Sequence, residues 1–139
     1  MSNTVVDSSI WVDFFNKKST PVIEHIKSTL INASLKSPFI ILPVIMQEVL
    51  QGIEENKLYT IVKENLFGFD IVEYENYEAA ILAADLYRFL RKRGVTIRKS
   101  SDCLIAAICI KYNFNLFHND NDFTNIAKHT SLKIYKLNT

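Results

Sequence analysis

Short, unbroken apolar runs alternate with helix-length segments along the whole chain, and this alternation restricts the fold more than any other feature. Thr4–Val6, Phe39–Leu42, Phe69–Val72, Asn115–Phe117 and Leu132–Tyr135 read as strands. The intervening spacing predicts a helix over Ile10–Phe15, with Ser8 or Ser9 as its cap, and a second helix from Thr20-Pro21 to about Leu35, along which Val22, Ile26, Leu30 and Ala33 keep the helical period. Further helices are predicted from Pro43 to Gly52, over Lys57–Leu66, from Tyr77 to a stop at Gly94, over Ser100–Tyr112 and over Phe123–Lys128. Pro21 and Pro43 stand at first-turn positions, where a missing N–H does no harm, and Gly52 and Gly94 stand where helices end. Strands without a polar face belong in a sheet covered on both sides. The expected fold is therefore α/β, a mostly parallel central sheet flanked by helices in an α/β/α sandwich, with its ligand site outside the carboxyl ends of the strands.

With 139 residues, the chain is expected to form one domain over 1–139. Its 48% hydrophobic and 22% charged residues fit a globular protein and argue against disorder. A formal net charge of +1 gives no global field for nucleic acid or membrane, so any electrostatic attraction must be local. Cys103 and Cys109 lie in one apolar segment without a second ligand at zinc spacing and read as reduced core thiols. The opening MSNTVVDSS has no basic region or apolar stretch, and no window reaches the roughly 20 apolar residues of a membrane span, so a soluble, cytoplasmic protein is expected.

Four acids stand where such a fold places its ligands. Asp7 follows the strand Thr4–Val6 directly, a position that suits a metal ligand and equally a helix cap. Glu48 lies on a helix that is apolar on most of its surface, so its carboxylate must reach solvent at the rim or find a cation. Asp102 falls in the first turn of the most apolar helix, where the macrodipole favours an acid, just after Arg98 and Lys99. Asp120 and Asp122 follow the strand Asn115–Phe117; Asp122 is the better candidate for a plain N-cap, leaving Asp120 for a site. A calcium loop does not fit, because Asn125 stands where that loop needs Gly and Ser131 where it needs Glu.

Each acid has a bland structural explanation, and it is their convergence in a parallel α/β fold that points to function. Clustered carboxylates repel unless hard cations neutralise them, and oxygen-only ligation suits Mg²⁺ or Mn²⁺. Metal-assisted hydrolysis of phosphodiesters is the chemistry such a site does well, with no separate histidine base required.

The segments Val6-Asp7-Ser8-Ser9-Ile10-Trp11, Gln47-Glu48-Val49-Leu50-Gln51-Gly52, Arg98-Lys99-Ser100-Ser101-Asp102-Cys103-Leu104-Ile105-Ala106 and His118-Asn119-Asp120-Asn121-Asp122-Phe123 resemble, in order, the motifs of PIN-domain toxins of the VapC type. The resemblance runs from residue 6 to residue 123. It implies a single PIN-like domain and a Mg²⁺- or Mn²⁺-dependent endoribonuclease, the toxin of a bacterial type II toxin-antitoxin pair. Asp7, Glu48, Asp102 and Asp120 would be its metal-binding, catalytic acids, with Asp122 supporting them or replacing Asp120 as a ligand. The resemblance further implies a homodimer, inhibition by a small cognate antitoxin, and RNA substrates such as tRNA or ribosomal RNA loops.

Arg88, Arg91, Lys92, Arg93, Arg98 and Lys99 concentrate positive charge immediately before Asp102. They read either as contacts to an RNA backbone or as a solvated helix end. His25, His118 and His129 share no metal-ligand spacing; His118, beside the site, is expected to pack or hydrogen-bond. Ser8, Ser9, Ser100 and Ser101 lack a nucleophile elbow and are expected to cap helices or hydrogen-bond to the acids. Trp11, Phe14 and Phe15 form an aromatic group that is either core or, at a surface, a contact for a second copy or antitoxin. Two rival functions would leave other marks in the sequence. A phosphoacceptor signalling domain would need paired acids at the first strand and a lysine after the last, and labelling with a small phosphodonor would reveal one. A noncatalytic nucleic-acid-binding module would have no use for four mutually repelling acids.

Overall fold

A computed structural model describes residues 3–32 and 37–137. Strands β1 (Thr4–Val6), β2 (Phe39–Ile41), β3 (Asp70–Ile71), β4 (Asn115–Phe117) and β5 (Lys133–Ile134) form one sheet in the order β3-β2-β1-β4-β5, with every pairing parallel. The helices are α1 (Ser8–Phe15), α2 (Pro21–Asn32), α3 (Pro43–Gln51), α4 (Asn56–Leu66), α5 (Asn76–Lys92), α6 (Ser100–Tyr112) and α7 (Asn121–His129). Sequence and structure agree on every element among the described residues, with ends shifted by one or two residues; the expected extension of α2 to Leu35 lies outside them.

From β1 the chain steps outward through β2 to β3, then returns past β1 to add β4 and β5 on the other side. Right-handed crossovers require the helices of the outward steps and those of the return to cover opposite faces. Accordingly α1 packs on α2 and α3, and α3 on α4, while α6 packs on α5 and α7. The direction of travel reverses between β1 and β4, so their carboxyl ends splay their connections apart and leave a crevice.

The central strands are apolar because both faces are covered. Val5, Val6, Phe39, Ile40, Ile41 and Leu116 are all buried. At the sheet edges Asp70 and Lys133 are exposed, so the polar-free pattern holds only for the inner strands. Helix α6 is buried over Asp102–Cys103 and Ile105–Cys109, which explains why it carries no polar stripe. It ends at Asn113 in the left-handed conformation (φ 61°), a backbone that asparagine tolerates better than most residues. Trp11 anchors the other face, fully buried against Phe39 and Phe69. Its neighbours Phe14 and Phe15 instead line an apolar groove of about 710 Å³ with Leu30, Leu58 and Phe69.

Two capping expectations are corrected. The N-cap of α1 is Asp7, not Ser8 or Ser9, because strand β1 passes into the helix with only that residue between them. The N-cap of α7 is Asp120, whose carboxylate accepts from the Asp122 backbone N–H at 2.9 Å; Asp122 lies inside the first turn.

Candidate metal centre

Asp7 and Asp120 are held by equivalent connections at the two sides of the crevice. The Asp7 backbone N–H donates to the Phe117 carbonyl at 2.9 Å, which ties the end of β1 to the end of β4. Three residues after Phe117, Asp120 opens α7. Asp102 is delivered by the first turn of α6 and is 1% exposed. Glu48 arrives from the second turn of α3, where its Oε2 accepts from Ser101 Oγ at 3.1 Å and so joins α3 to α6.

The carboxylate oxygens of Asp102, Asp120 and Asp122 lie within 4.8 Å of one another, close enough to share one cation. Asp7 and Glu48 stand outside this tight trio but within its field. The charges of Asp7, Asp120 and Glu48 all act on Asp102. Burial, reinforced by these neighbours, pushes the Asp102 carboxyl up to about 7, and Lys99 only partly opposes them. Burial is also the main cause that raises Asp7; the Ser8 backbone N–H and the Ser9 hydroxyl, which donates to Asp7 Oδ2 at 3.1 Å, pull it the other way.

Asp102 Oδ2 and Glu48 Oε1 are buried without a hydrogen-bond partner among the described residues. A carboxylate oxygen stripped of water and left unpaired is costly, so both atoms call for a cation. The donor set is all oxygen and several-fold negative, which fits a hard divalent ion rather than zinc or copper. The acidic cluster thus fits a divalent metal.

The basic run divides. Arg98 Nε lies 3.4 Å from Asp122 Oδ2, and its Nη2 lies 3.7 Å from Asp120 Oδ1, while Lys99 acts on both Asp7 and Asp102. Arg91 and Arg93 turn instead onto their own helix end, over the rings of Tyr87 and Phe89, and Arg93 also donates to the Phe89 carbonyl. Arg91 and Lys92 fall in the last turn of α5 and Arg93 at its C-cap, where cations complement the helix dipole. His118 packs on Phe123, and its Nδ1 accepts from the Asp120 backbone N–H at 3.0 Å, a positioning contact for the loop. Burial lowers its pKa, against the opposing charge of Asp120.

Two residues of the site differ from the plainest reading of their positions in the sequence. Asp122, which its position marked as the plainer cap and the resemblance as a supporting or alternative ligand, is buried and belongs to the tight trio. Arg98, read either as a contact to RNA or as part of a solvated helix end, pairs within the chain to two of the acids. Nothing local in the sequence indicated the pairing of Arg98.

The family model of the PIN domain matches residues 4–129. The chain belongs to the PIN domain family. Among curated relatives of this PIN domain, ribonuclease VapC11 of Mycobacterium tuberculosis and a VapC ribonuclease of Mycobacterium bovis are each 27% identical over 129 residues, covering 93% of this chain and 95% of theirs. Solved structures share the fold. The DNA-bound VapBC of Salmonella typhimurium superposes with a TM-score of 0.75 at 16% identity. VapBC2 of Rickettsia felis, bound to a promoter DNA fragment, superposes with a TM-score of 0.72 at 19% identity. Both alignments cover 97% of this PIN domain and 98% of the matched chain.

Proposed function

We propose that this chain is a metal-dependent endoribonuclease, the toxin component of a bacterial type II toxin-antitoxin module. In this reading residues 1–139 form one PIN domain that acts in the cytoplasm as a homodimer, hydrolyses phosphodiester bonds of tRNA or ribosomal RNA, and is inhibited by a cognate antitoxin protein. The observation that carries it is the gathering of Asp7, Glu48, Asp102, Asp120 and Asp122 at the crevice between β1 and β4, with two buried carboxylate oxygens lacking any partner. Relatives named as VapC ribonucleases and neighbours solved as VapBC complexes support the same reading.

Asp7, Glu48, Asp102 and Asp120 are the catalytic acids, and with Asp122 they hold Mg²⁺ or Mn²⁺. The ion supplies the positive charge that lowers the pKa of the attacking water and offsets charge on the scissile phosphate. The chain's own contribution is to fix those oxygens: Ser9 and Ser101 orient Asp7 and Glu48 through their hydroxyls, and Asp120 is locked by capping α7. Arg98 and Lys99, beside the acids, attract the RNA backbone at close range, and Arg91, Lys92 and Arg93 extend that attraction further out.

Sequencing of RNA ends after brief expression tests the proposal, with Asp7→Asn as control. New 5′ ends at discrete sites should appear with the wild-type chain alone. Matching profiles from the two would remove ribonuclease action from the account.

A further inference from the structure

Next to the acid cluster, on the face covered by α5 and α6, lies a pocket of about 580 Å³. That volume falls in the range of about 300–1,000 Å³ typical of ligand sites. Tyr87 and Arg88 of α5 form one wall; Arg98 and Ser100, at the entrance to α6, form the other; Ala83 and Cys103 contribute small apolar surface. Arg98 belongs to both places, since it lines this pocket and its guanidinium is paired with Asp120 and Asp122. Cys103 follows Asp102 directly in the first turns of α6, so the apolar surface it contributes is one residue from the acids along the helix.

The pocket combines one half-buried aromatic ring, two guanidinium groups, a hydroxyl and small apolar side chains. A purely apolar ligand would make no use of Arg88 or of Arg98, whose ion pairs at 3.4 and 3.7 Å still leave its side chain 76% exposed, and a bare anion would leave the ring and the apolar surface unused. A nucleotide uses all of them, because its base has a π-face and an apolar body and its flanking phosphates are anionic.

We propose that this pocket receives one unpaired nucleobase of the RNA, adjacent to the phosphodiester held at the acids, with Tyr87 as its stacking surface and Arg88 and Arg98 on the flanking phosphates. The proposal rests on the ribonuclease reading above and deepens it by placing recognition of one base beside the acids, since a base held in a duplex is already stacked and paired and would not reach the pocket.

The test compares cleavage of a single-stranded oligoribonucleotide, the same strand made abasic in turn at each position flanking the cut, and the same sequence in a duplex. The wild-type chain should cut the intact strand with a kcat/KM about ten- to a hundred-fold above that for the strand abasic at the pocket position, and should leave the duplex uncut. Tyr87→Leu should lose about that factor on the intact strand and nothing further on the abasic one, while Tyr87→Phe, which keeps the ring, stays near wild type. Arg88→Ala, at an exposed position, should weaken cleavage several-fold and reduce the salt dependence by about one phosphate contact. Calorimetric Mn²⁺ affinity should be unchanged in all three variants, which separates the pocket from the acids.

If the wild-type chain cleaves RNA but Tyr87→Leu keeps the same discrimination, the pocket proposal is overturned and the ribonuclease reading stands. If Tyr87→Leu cleaves normally but changes the molecular mass in light scattering, the pocket is a contact between copies, and the proposal again fails. If the wild-type chain cleaves no RNA with Mg²⁺ or Mn²⁺, both readings fall together.

Discussion

Asp13, Glu24 and Glu78 each face a lysine at the surface, Lys18, Lys27 and Lys111 respectively, whereas Asp102 and Glu48 each bury a carboxylate oxygen that has no partner. The side chains are the same chemically, and their surroundings are opposite. Each surface acid stays hydrated beside its own cation, so its pair contributes little to stability and losing it costs little. The acids at the carboxyl edge are crowded together and desolvated. Their nearest cations, Arg98 and Lys99, are both exposed and leave Asp102 raised to about 7. An arrangement that strains the apo fold becomes favourable once a divalent ion sits among those oxygens, which is how the two regions reveal their different uses.

Substitution separates the two sets most sharply. Asp102→Asn should lower RNA cleavage at least about a hundred-fold, since the charge stabilisation supplied through a metal site amounts to several kcal/mol and each factor of ten is worth about 1.4 kcal/mol. Glu24→Gln should leave the rate within about two-fold. Initial rates on one RNA substrate decide between these outcomes.

Metal binding should come next in size. Saturating Mn²⁺ should raise the melting temperature of the chelator-treated protein by roughly 5–10 °C. The rise should vanish in Asp102→Asn and persist in Glu24→Gln, as read by calorimetry.

The pH dependence of the metal-free protein sharpens the contrast further. The Asp102 carboxyl titrates near 3.8 when unperturbed and near 7 in the fold, so between those values the folded state binds more protons than the unfolded one. The stability this group contributes is full below about pH 4 and is lost as pH rises through about 7. Melting temperatures measured across that window should fall with rising pH, and Asp102→Asn should flatten the slope.

The basic run offers the smallest difference. Lys99→Ala should reduce kcat/KM about ten-fold and lower the salt slope by about one contact. Arg93→Ala, which removes a side chain stacked on Phe89, should change cleavage less than about two-fold.

Much of the fold was legible because the inner strands are buried on both faces. Thr4–Val6 and Asn115–Phe117 were read to the residue, as was the helix Ser100–Tyr112, since their apolar runs have abrupt polar ends. The edge strands were read too long: Asp70–Ile71 and Lys133–Ile134 pair on one side only, and their apolar flanks serve the core without joining the ladder. At the site, Asp7 was legible because it directly follows a buried strand, and Asp120 because it falls in the short connection from β4 to the next helix. That Asp120 rather than Asp122 caps α7 was not, because the helix begins at Asn121, two residues before the apolar Phe123 that marked it in the sequence. Nor could the sequence foresee Arg98 turning back onto those acids, because that pairing spans 24 residues and depends on α6 and α7 meeting side by side.

The most direct test of the central claim is metal add-back with purified protein. After chelator treatment the wild-type chain should leave RNA intact, resume cleavage when Mg²⁺ or Mn²⁺ is restored, and fail to do so as Asp102→Asn. Cleavage that continues in excess chelator, or that Asp102→Asn performs as well as the wild-type chain, would contradict the assignment of the carboxylate cluster as a metal-dependent ribonuclease site.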